Sequence, residues 1–408
     1  MATKSSALAR TRSAAGYTQE TFAFALRVDV STVGRWETGA SAPLPTTRPK
    51  VAKLLRLSLV ELDQLLHTVK IQSNRRTTRS ASTVLGASSR RSQLSLLDDL
   101  RRSIIGRPVL AGEPPDRRQL MQAVNRAHSL YQHADYEAAA KMLPQVIDRL
   151  NGQSSNASAA ARKAYGYVAA AKLATKLGSG SLAWLAADRA SLAALDAGRA
   201  ELTGIARYQV ACALLLNGHL GDAEEVVEEA IEDLRLAKGC DDVRVKMSVQ
   251  GALSLLAAVM AARSGASQNA RERLRQASEF ADVLGCEGNF LWTGFGPTNV
   301  AIHELSVTVQ LGDARRSYEL GSFLDTDRLP DVLVGRRSQV HLDLGRAAMS
   351  VADDGLAVLH LLEAERVAKQ AVSRNAGARE VIQVLLGRER HNATPGLRAL
   401  ALRAGVDA

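Results

Sequence analysis

Apolar residues recur at three- and four-residue intervals along most of the chain, and no stretch alternates apolar and polar positions for long. That is the pattern of amphipathic helices, not of strands. From Leu8 to Leu66 it predicts five short helices, over 6–15, 18–26, 31–37, 47–55 and 59–66. Thr18 and Asp29 suit N-caps, Gly16 and Gly39 suit helix ends, and Pro43, Pro45 and Pro49 confine the approach to the fourth helix. Phe22, Ala25 and Leu26 share one face of the second helix, and Val33 and Trp36 one face of the third, which marks core positions. Outward on the third helix, within "VDVSTVGRWETG", stand Val30, Ser31, Gly34 and Arg35, a low-relief face with one cationic fork.

From about residue 116 a two-helix grammar repeats, with turns near Ala134, Gly178, Gly218, Gly265, Gly312 and Gly355, spaced by 44, 40, 47, 47 and 43 residues. In one unit Asp222 is placed to cap a helix and Glu225 to complete a capping box, with Val226, Val227, Ala230, Ile231 and Leu234 on the apolar face. No proline falls between Pro144 and Pro297, as uninterrupted helical hairpins require. Hairpins that bury their faces only against neighbours imply an α-solenoid. The expected fold class is therefore all-α: a five-helix head over 1–66, a basic linker over 67–115, and a helical-repeat domain over 116–408.

Charge sharpens this division. Residues 1–97 hold 15 Lys+Arg against 5 Asp+Glu, whereas 98–408 hold 37 of each, so the net charge of +10 lies in the first quarter. A small basic module beside a neutral one suits a polyanion partner, since neutralising phosphates drives nucleic-acid binding. A basic solubilising tail has the same composition. Residues 67–97 contain six Lys+Arg, no acid and many Ser and Thr, the composition of a flexible tether. Arg75, Arg76 and Arg79 there serve either as extra phosphate contacts or as part of a plain spacer. "LSLLDDLRRSII", 94–105, regains helical spacing and predicts a short helix docking on the next domain, and Gly112, Pro114 and Pro115 mark the second boundary. Cys212, Cys240 and Cys286 stand far apart without C-x-x-C spacing, which predicts buried, reduced thiols and no zinc site. The longest uncharged apolar run, Met247 to Ala262, is short for a bilayer and is edged by Lys246 and Arg263, so a cytoplasmic protein with no membrane contact is expected.

"TQETFAFAL", "STVGRWETG" and "LSLVELDQLL" together resemble the helix-turn-helix of the lambda-type repressor and Cro family, also called XRE-like, over residues 5–66. The resemblance implies a double-stranded DNA partner, with the N-terminal half of the third helix in the major groove. Val30, Ser31 and Arg35 would face base edges, and Gln19 would hold a phosphate with the backbone N–H groups beside it. Arg12 and Glu37 fall where the family places an internal ion pair. Gly34 costs about 1 kcal/mol of helix propensity relative to alanine, and a bare spot on the groove face lets the helix approach DNA more closely. Arg35 is suited to a bidentate contact with guanine, the alternative being a phosphate. Arg27 departs from the pattern, standing at the turn position where the family usually has glycine.

The two-helix repeats resemble the tetratricopeptide class, with a period longer than its usual 34. "FGPTNVAIHELSVTVQLGD", 295–313, is similar to a segment of actinobacterial regulators that join an XRE-like head to such repeats. Phe290, Trp292 and Phe295 bring three of the sixteen aromatics together just before Asn299 and His303. Related regulators bind signalling peptides, often through asparagines, so this cluster is a candidate pocket for a peptide or small-molecule effector. The alternative is that the aromatics fill the joint between two units and His303 is a satisfied core histidine.

Signatures of catalysis are fragmentary. "GSGSLA", 178–183, follows a helical stretch and so cannot form a dinucleotide turn, "HELSV" lacks the second histidine of H-E-x-x-H, and neither a phosphate-binding loop nor a G-x-S-x-G elbow occurs. No enzyme, cofactor or metal site is expected. The pattern favours a homodimeric DNA-binding transcriptional regulator that senses a signal. A protein-interaction scaffold with an accessory basic head, and a plasmid or phage maintenance protein binding its own DNA repeats, share the same features.

Overall fold

The computed structural model describes residues 7–26, 28–38, 43, 47–58, 61–62, 65–66, 97–106, 116–153, 155–237, 242–389 and 394–406. Arg27, Gly39, Pro45, Cys240, Gly112, Pro114, Pro115 and the linker arginines lie outside these residues. Every regular element among the described residues is a helix. The chain divides into two compact units, Met1–Val84 and Leu85–Ala408.

The first unit contains helices α1 (Ala7–Ala14), α2 (Gln19–Leu26), α3 (Val30–Thr38) and α4 (Arg48–Leu55). Residues 61–62 and 65–66 are helical as well. Local signals explain the starts. Thr18 Oγ1 accepts the Thr21 N–H (3.1 Å) while Thr21 Oγ1 accepts the Thr18 N–H (2.8 Å), a reciprocal capping box, and the Tyr17 ring packs at 5.5 Å on Phe22 as a hydrophobic staple. Ser58 and Glu61 form a second such box, the Glu61 carboxylate accepting from the Ser58 N–H at 2.7 Å. Helix α4 ends at Arg56, whose φ of 56° is left-handed. The core gathers Leu8, Phe22, Ala23, Leu26, Val33, Trp36, Val51, Leu55 and Leu62. Ala23 is buried and Ala25 exposed, which corrects the expected face of α2 by two positions.

In the second unit, helix α5 over 97–105 sends Leu97, Leu100 and Ile104 into the same core as Leu120 and Val124. Six helix pairs follow: α6 (Arg117–Gln132) with α7 (Tyr136–Asn151), α8 (Ala157–Lys176) with α9 (Gly180–Ala197), α10 (Ala200–Asn217) with α11 (Leu220–Leu236), α12 (Val243–Arg263) with α13 (Ser267–Leu284), α14 (Pro297–Leu311) with α15 (Ala314–Phe323), and α16 (Val334–Ser350) with α17 (Asp354–Val367). Each pair turns on one left-handed residue, Ala134, Gly178, Gly218, Gly265, Gly312 or Ala352. The next residue donates its N–H to the carbonyl five positions back, at 2.8–3.2 Å, so all six turns are Schellman closures. The last turn is Ala352, not Gly355, which lies inside α17. Likewise α11 begins at Leu220, so Asp222 sits in its first turn and not at its cap.

Alanine fills the α8–α9 contact (Ala164, Ala171, Ala183, Ala186, Ala190), letting the two axes approach closely. Helix α12 is long and apolar enough to span a bilayer by length and composition, but 72% of its apolar window is buried inside this unit. Helices α18 (Lys369–Ser373), α19 (Ala376–Arg388) and α20 (Leu397–Ala404) complete the chain. The pairs wind far enough for the end of the series to meet its beginning. Arg374 pairs with Glu137 at 2.7 Å, the Glu137 N–H donates to Gln370 at 3.1 Å, and Gly335 lies against the Gln132 carbonyl and the Tyr136 hydroxyl.

Candidate nucleic-acid interface and axial cavity

Helix α3 is held by its inner face. Val33 and Trp36 are buried, and Glu37, only 6% exposed, accepts from Arg12 Nε at 2.5 Å and from Gln19 Nε2 at 2.6 Å. Arg12 also donates to the Tyr17 carbonyl at 2.5 Å. One buried carboxylate thus ties α1, the start of α2 and the end of α3 into a single clamp. Gln19 stands at the N-terminus of α2 with one amide N–H engaged by Glu37, so its direction is set from within the fold.

The opposite face of α3 is open. Val30, Ser31 and Arg35 are exposed and Gly34 is half-buried. A Cβ built on Gly34 meets nothing within 4 Å, and its φ is not left-handed. Among the described residues neither packing nor backbone geometry therefore calls for glycine there. Arg35 donates to Thr32 Oγ1 at 3.2 Å, one turn earlier, which leans its guanidinium along the exposed ridge. The exposed ridge is thus low in relief, with one long cationic side chain at Arg35.

The aromatic cluster of the second unit separates into two directions. Leu291 (φ 47°) and Trp292 (φ 55°) are consecutive left-handed non-glycine residues, a conformation costing roughly 1–2 kcal/mol each. It is held by a reciprocal amide pair, Gln132 with Asn289 at 2.9 and 3.0 Å. The result aims the Trp292 ring inward, stacked on His128 at 3.7 Å and edge-on to Tyr165 at 5.3 Å. Phe295 goes the other way. It is fully buried where Gly251 leaves room for it; a Cβ there would lie 1.9 Å from the ring. Phe290 packs with the same group and under Arg244. Phe290 and Phe295 are therefore joint-filling residues and not walls of the cavity that Trp292 lines, Phe295 over Gly251 and Phe290 beside Gly288.

Trp292, Asn299 and His303 line a cavity of about 230 Å³ on the inner side of the winding. The first helix of every pair contributes to its wall: Gln132 from α6, Lys172 and Lys176 from α8, Gln209 from α10, Leu255 from α12, Asn299 from α14 and Arg336 from α16. Lys172 Nζ donates to the Trp292 carbonyl at 2.9 Å. Burial, with the charge of Arg336 adding to it, pushes the Lys172 ammonium down to about 7 and Lys176 down to about 8. His303 Nδ1 donates to the Asn299 carbonyl at 2.9 Å, and burial, helped by Arg336, lowers its pKa to about 3, so it is neutral. His128 is held neutral by burial and by Lys172. A second cavity of about 290 Å³, sharing Gln339 with the first, is lined by Arg263 and Arg346. Sequence reasoning missed Lys172, Lys176 and Arg336, although two lysines four apart in the alanine-rich "AAAKLATK" were a signal.

The cysteines divide too. Cys212 lines the cavity with its thiol pushed up to about 11 by burial, whereas Cys286 is exposed, against the expectation of burial. Among the described residues no three His, Cys, Asp or Glu side chains are grouped to hold a metal ion.

Residues 8–62 match the family described as Helix-turn-helix (HTH_3), the XRE-type DNA-binding domain. The matched span begins and ends on the core residues Leu8 and Leu62. No curated protein and no solved structure matches the chain.

Proposed function

We propose that the chain is a sequence-specific DNA-binding transcriptional regulator whose second unit, resembling tetratricopeptide repeats, joins two copies and receives a signal. The observation that carries this is the outward face of α3, within the helix-turn-helix match, where Val30, Ser31 and Arg35 are exposed and a Cβ on Gly34 would meet nothing within 4 Å. One such helix reads few base pairs, so two heads on an inverted repeat are needed for a useful site. The closed winding of the second unit supports sensing over scaffolding. An open solenoid offers a long concave groove to a protein partner, whereas here the inner side holds a partly open cavity of about 230 Å³ walled by the first helix of every pair.

In this reading Val30, Ser31 and Arg35 meet base edges and Gln19 a phosphate. The test is selection of DNA from random fragments by the purified full chain, followed by gel-shift titration across salt concentrations. A single enriched inverted repeat, bound about 10³-fold or more above competitor DNA at physiological salt, is expected. Uniform binding that vanishes with salt would reduce the head to a nonspecific cation.

A further inference from the structure

We propose that the axial cavity of the second unit is a binding site for a small organic anion, whose carboxylate or phosphate sits among Lys172, Lys176 and Arg336. Three cations converge on one cavity, and among the described residues none of them forms an ion pair. Lys172 is 9% exposed. The nearest acid, the buried Asp343 that acts on Lys176, is already paired with Arg346, and among the described residues no acid pairs with Lys172 or Arg336. Gathering like charges in a low-dielectric interior is costly, the two lysines meet that cost by a lowered affinity for their protons, and a bound anion would relieve it.

Two further atoms point to a ligand. Gln209, 2% exposed, has no partner for its amide nitrogen, and Asn299, 1% exposed, has none for its amide oxygen; both residues line the cavity. A buried donor and a buried acceptor left open are rare in a folded protein and ask for a molecule with complementary groups. The Trp292 ring and the Tyr131 and Tyr208 rings supply apolar wall between them. A cavity of about 150 Å³ takes up benzene, so 230 Å³ accommodates a single ring bearing one acid group. Lys176 and Arg336 keep partial solvent exposure, which marks the side from which the anion enters.

This deepens the sensing half of the proposed function, but the binding stands on the cavity alone. The test is calorimetric titration and thermal melting of the full chain with benzoate, phenyl phosphate and the neutral benzyl alcohol. Benzoate or phenyl phosphate is expected to bind and raise the melting temperature, the tighter of the two identifying the acid, with benzyl alcohol at least about tenfold weaker. Lys172→Met and Arg336→Gln should each weaken the anion by at least about tenfold, while melting at or above the natural chain when no anion is present. Should Lys172→Met fail to fold, Arg336→Gln, at a partly exposed position, carries the comparison. Equal binding of benzyl alcohol, unchanged anion binding by both variants, or no binding of either anion overturns the proposal. Gel shifts of the same variants without anion are expected to match the natural chain, so failure of the anion site and failure of DNA recognition are read separately.

Discussion

The two units bury charge on opposite terms. In the first, Arg12 and Glu37 lie 8% and 6% exposed and satisfy each other, with Gln19 and the Tyr17 carbonyl taking up further hydrogen bonds. In the second, Lys172, Lys176 and Arg336 face one cavity and among the described residues none of them forms an ion pair; Lys172 has the Trp292 carbonyl, and the buried Asp343 that acts on Lys176 is engaged by Arg346. A buried pair with its partners complete is architecture: it orients α3 and gains nothing from an added ligand. A buried cation whose charge is uncompensated is the opposite, a local cost that binding relieves. The comparison separates a charge that shapes the first unit from charges that leave the second unit open to an anion.

The largest test acts on the paired charge. Glu37→Ala leaves Arg12 buried without a carboxylate and releases Gln19, which should destabilise the first unit by about 3–5 kcal/mol. Thermal melting would show the loss, together with disappearance of any gel-shifted complex. Replacing both residues, Arg12→Leu with Glu37→Leu, should recover much of that stability because no lone charge stays behind. A double variant as unstable as the single one would show that the pair acts through more than its charge.

Lys172→Met should do the reverse and stabilise. The lysine's pKa falls from near 10.5 to about 7 in the folded chain, so below pH 7 both folded and unfolded forms carry the charge and its burial penalty is complete. As pH rises from 7 toward 10.5 only the unfolded form holds the proton, and the penalty fades. The facing groups stay silent through most of that window. His128 and His303 are already neutral, and Cys212, Tyr131, Tyr136 and Tyr208 are pushed upward by burial; Lys176, near 8, titrates alongside, with the Asp343 carboxyl that acts on it itself raised by burial. Lys172→Met is therefore expected to exceed the natural chain by about 2–4 kcal/mol at pH 6, with the gap narrowing by pH 9. Denaturant unfolding across pH measures it, and a gap that widens with pH would refute the assignment.

The head's helices are legible because short-range chemistry places them: Thr18 with Thr21, Ser58 with Glu61, and Tyr17 on Phe22 act within a few residues. Which alanine of α2 turns inward is not legible, since Ala23 and Ala25 are chemically identical and only the approach of α3 and α4 decides. The repeat turns are readable at four glycines and at Ala134, which is followed by an aspartate, and misplaced at Ala352, which adopts φ 62° three residues before Gly355, a glycine that lies inside the next helix. The cavity is the least legible feature. Lys172, Gln209, Asn299 and Arg336 span more than 160 residues of sequence, and they meet only because the first pair closes on the last. Phe290, Trp292 and Phe295 are visible as a cluster, yet their directions follow from two left-handed residues and from the space over Gly251.

Two smaller effects fall on the reading face. Arg35→Ala is expected to cost about 1–3 kcal/mol and to relax preference at one base pair. Gln19→Ala should weaken all sequences alike, as loss of a phosphate contact does. Quantitative gel shifts on single-base variants of the selected site separate the two, and an unchanged preference in Arg35→Ala would make Arg35 a phosphate contact.

Gly34→Ala gives the smallest change and the sharpest contrast, because its two readouts should move in opposite directions. The alanine methyl would enter open space in the free protein, and alanine is favoured over glycine in a helix interior by about 1 kcal/mol. Thermal melting of the variant is therefore expected to rise. On DNA the same methyl occupies the side on which the groove floor must approach α3, so affinity for the selected site should fall while the isolated fold improves. Glycine at this position then reflects what the helix touches and not how it folds. A variant that gains stability and binds DNA equally well would place the groove elsewhere on α3, away from Gly34, and would require Val30 and Ser31 alone to face the bases.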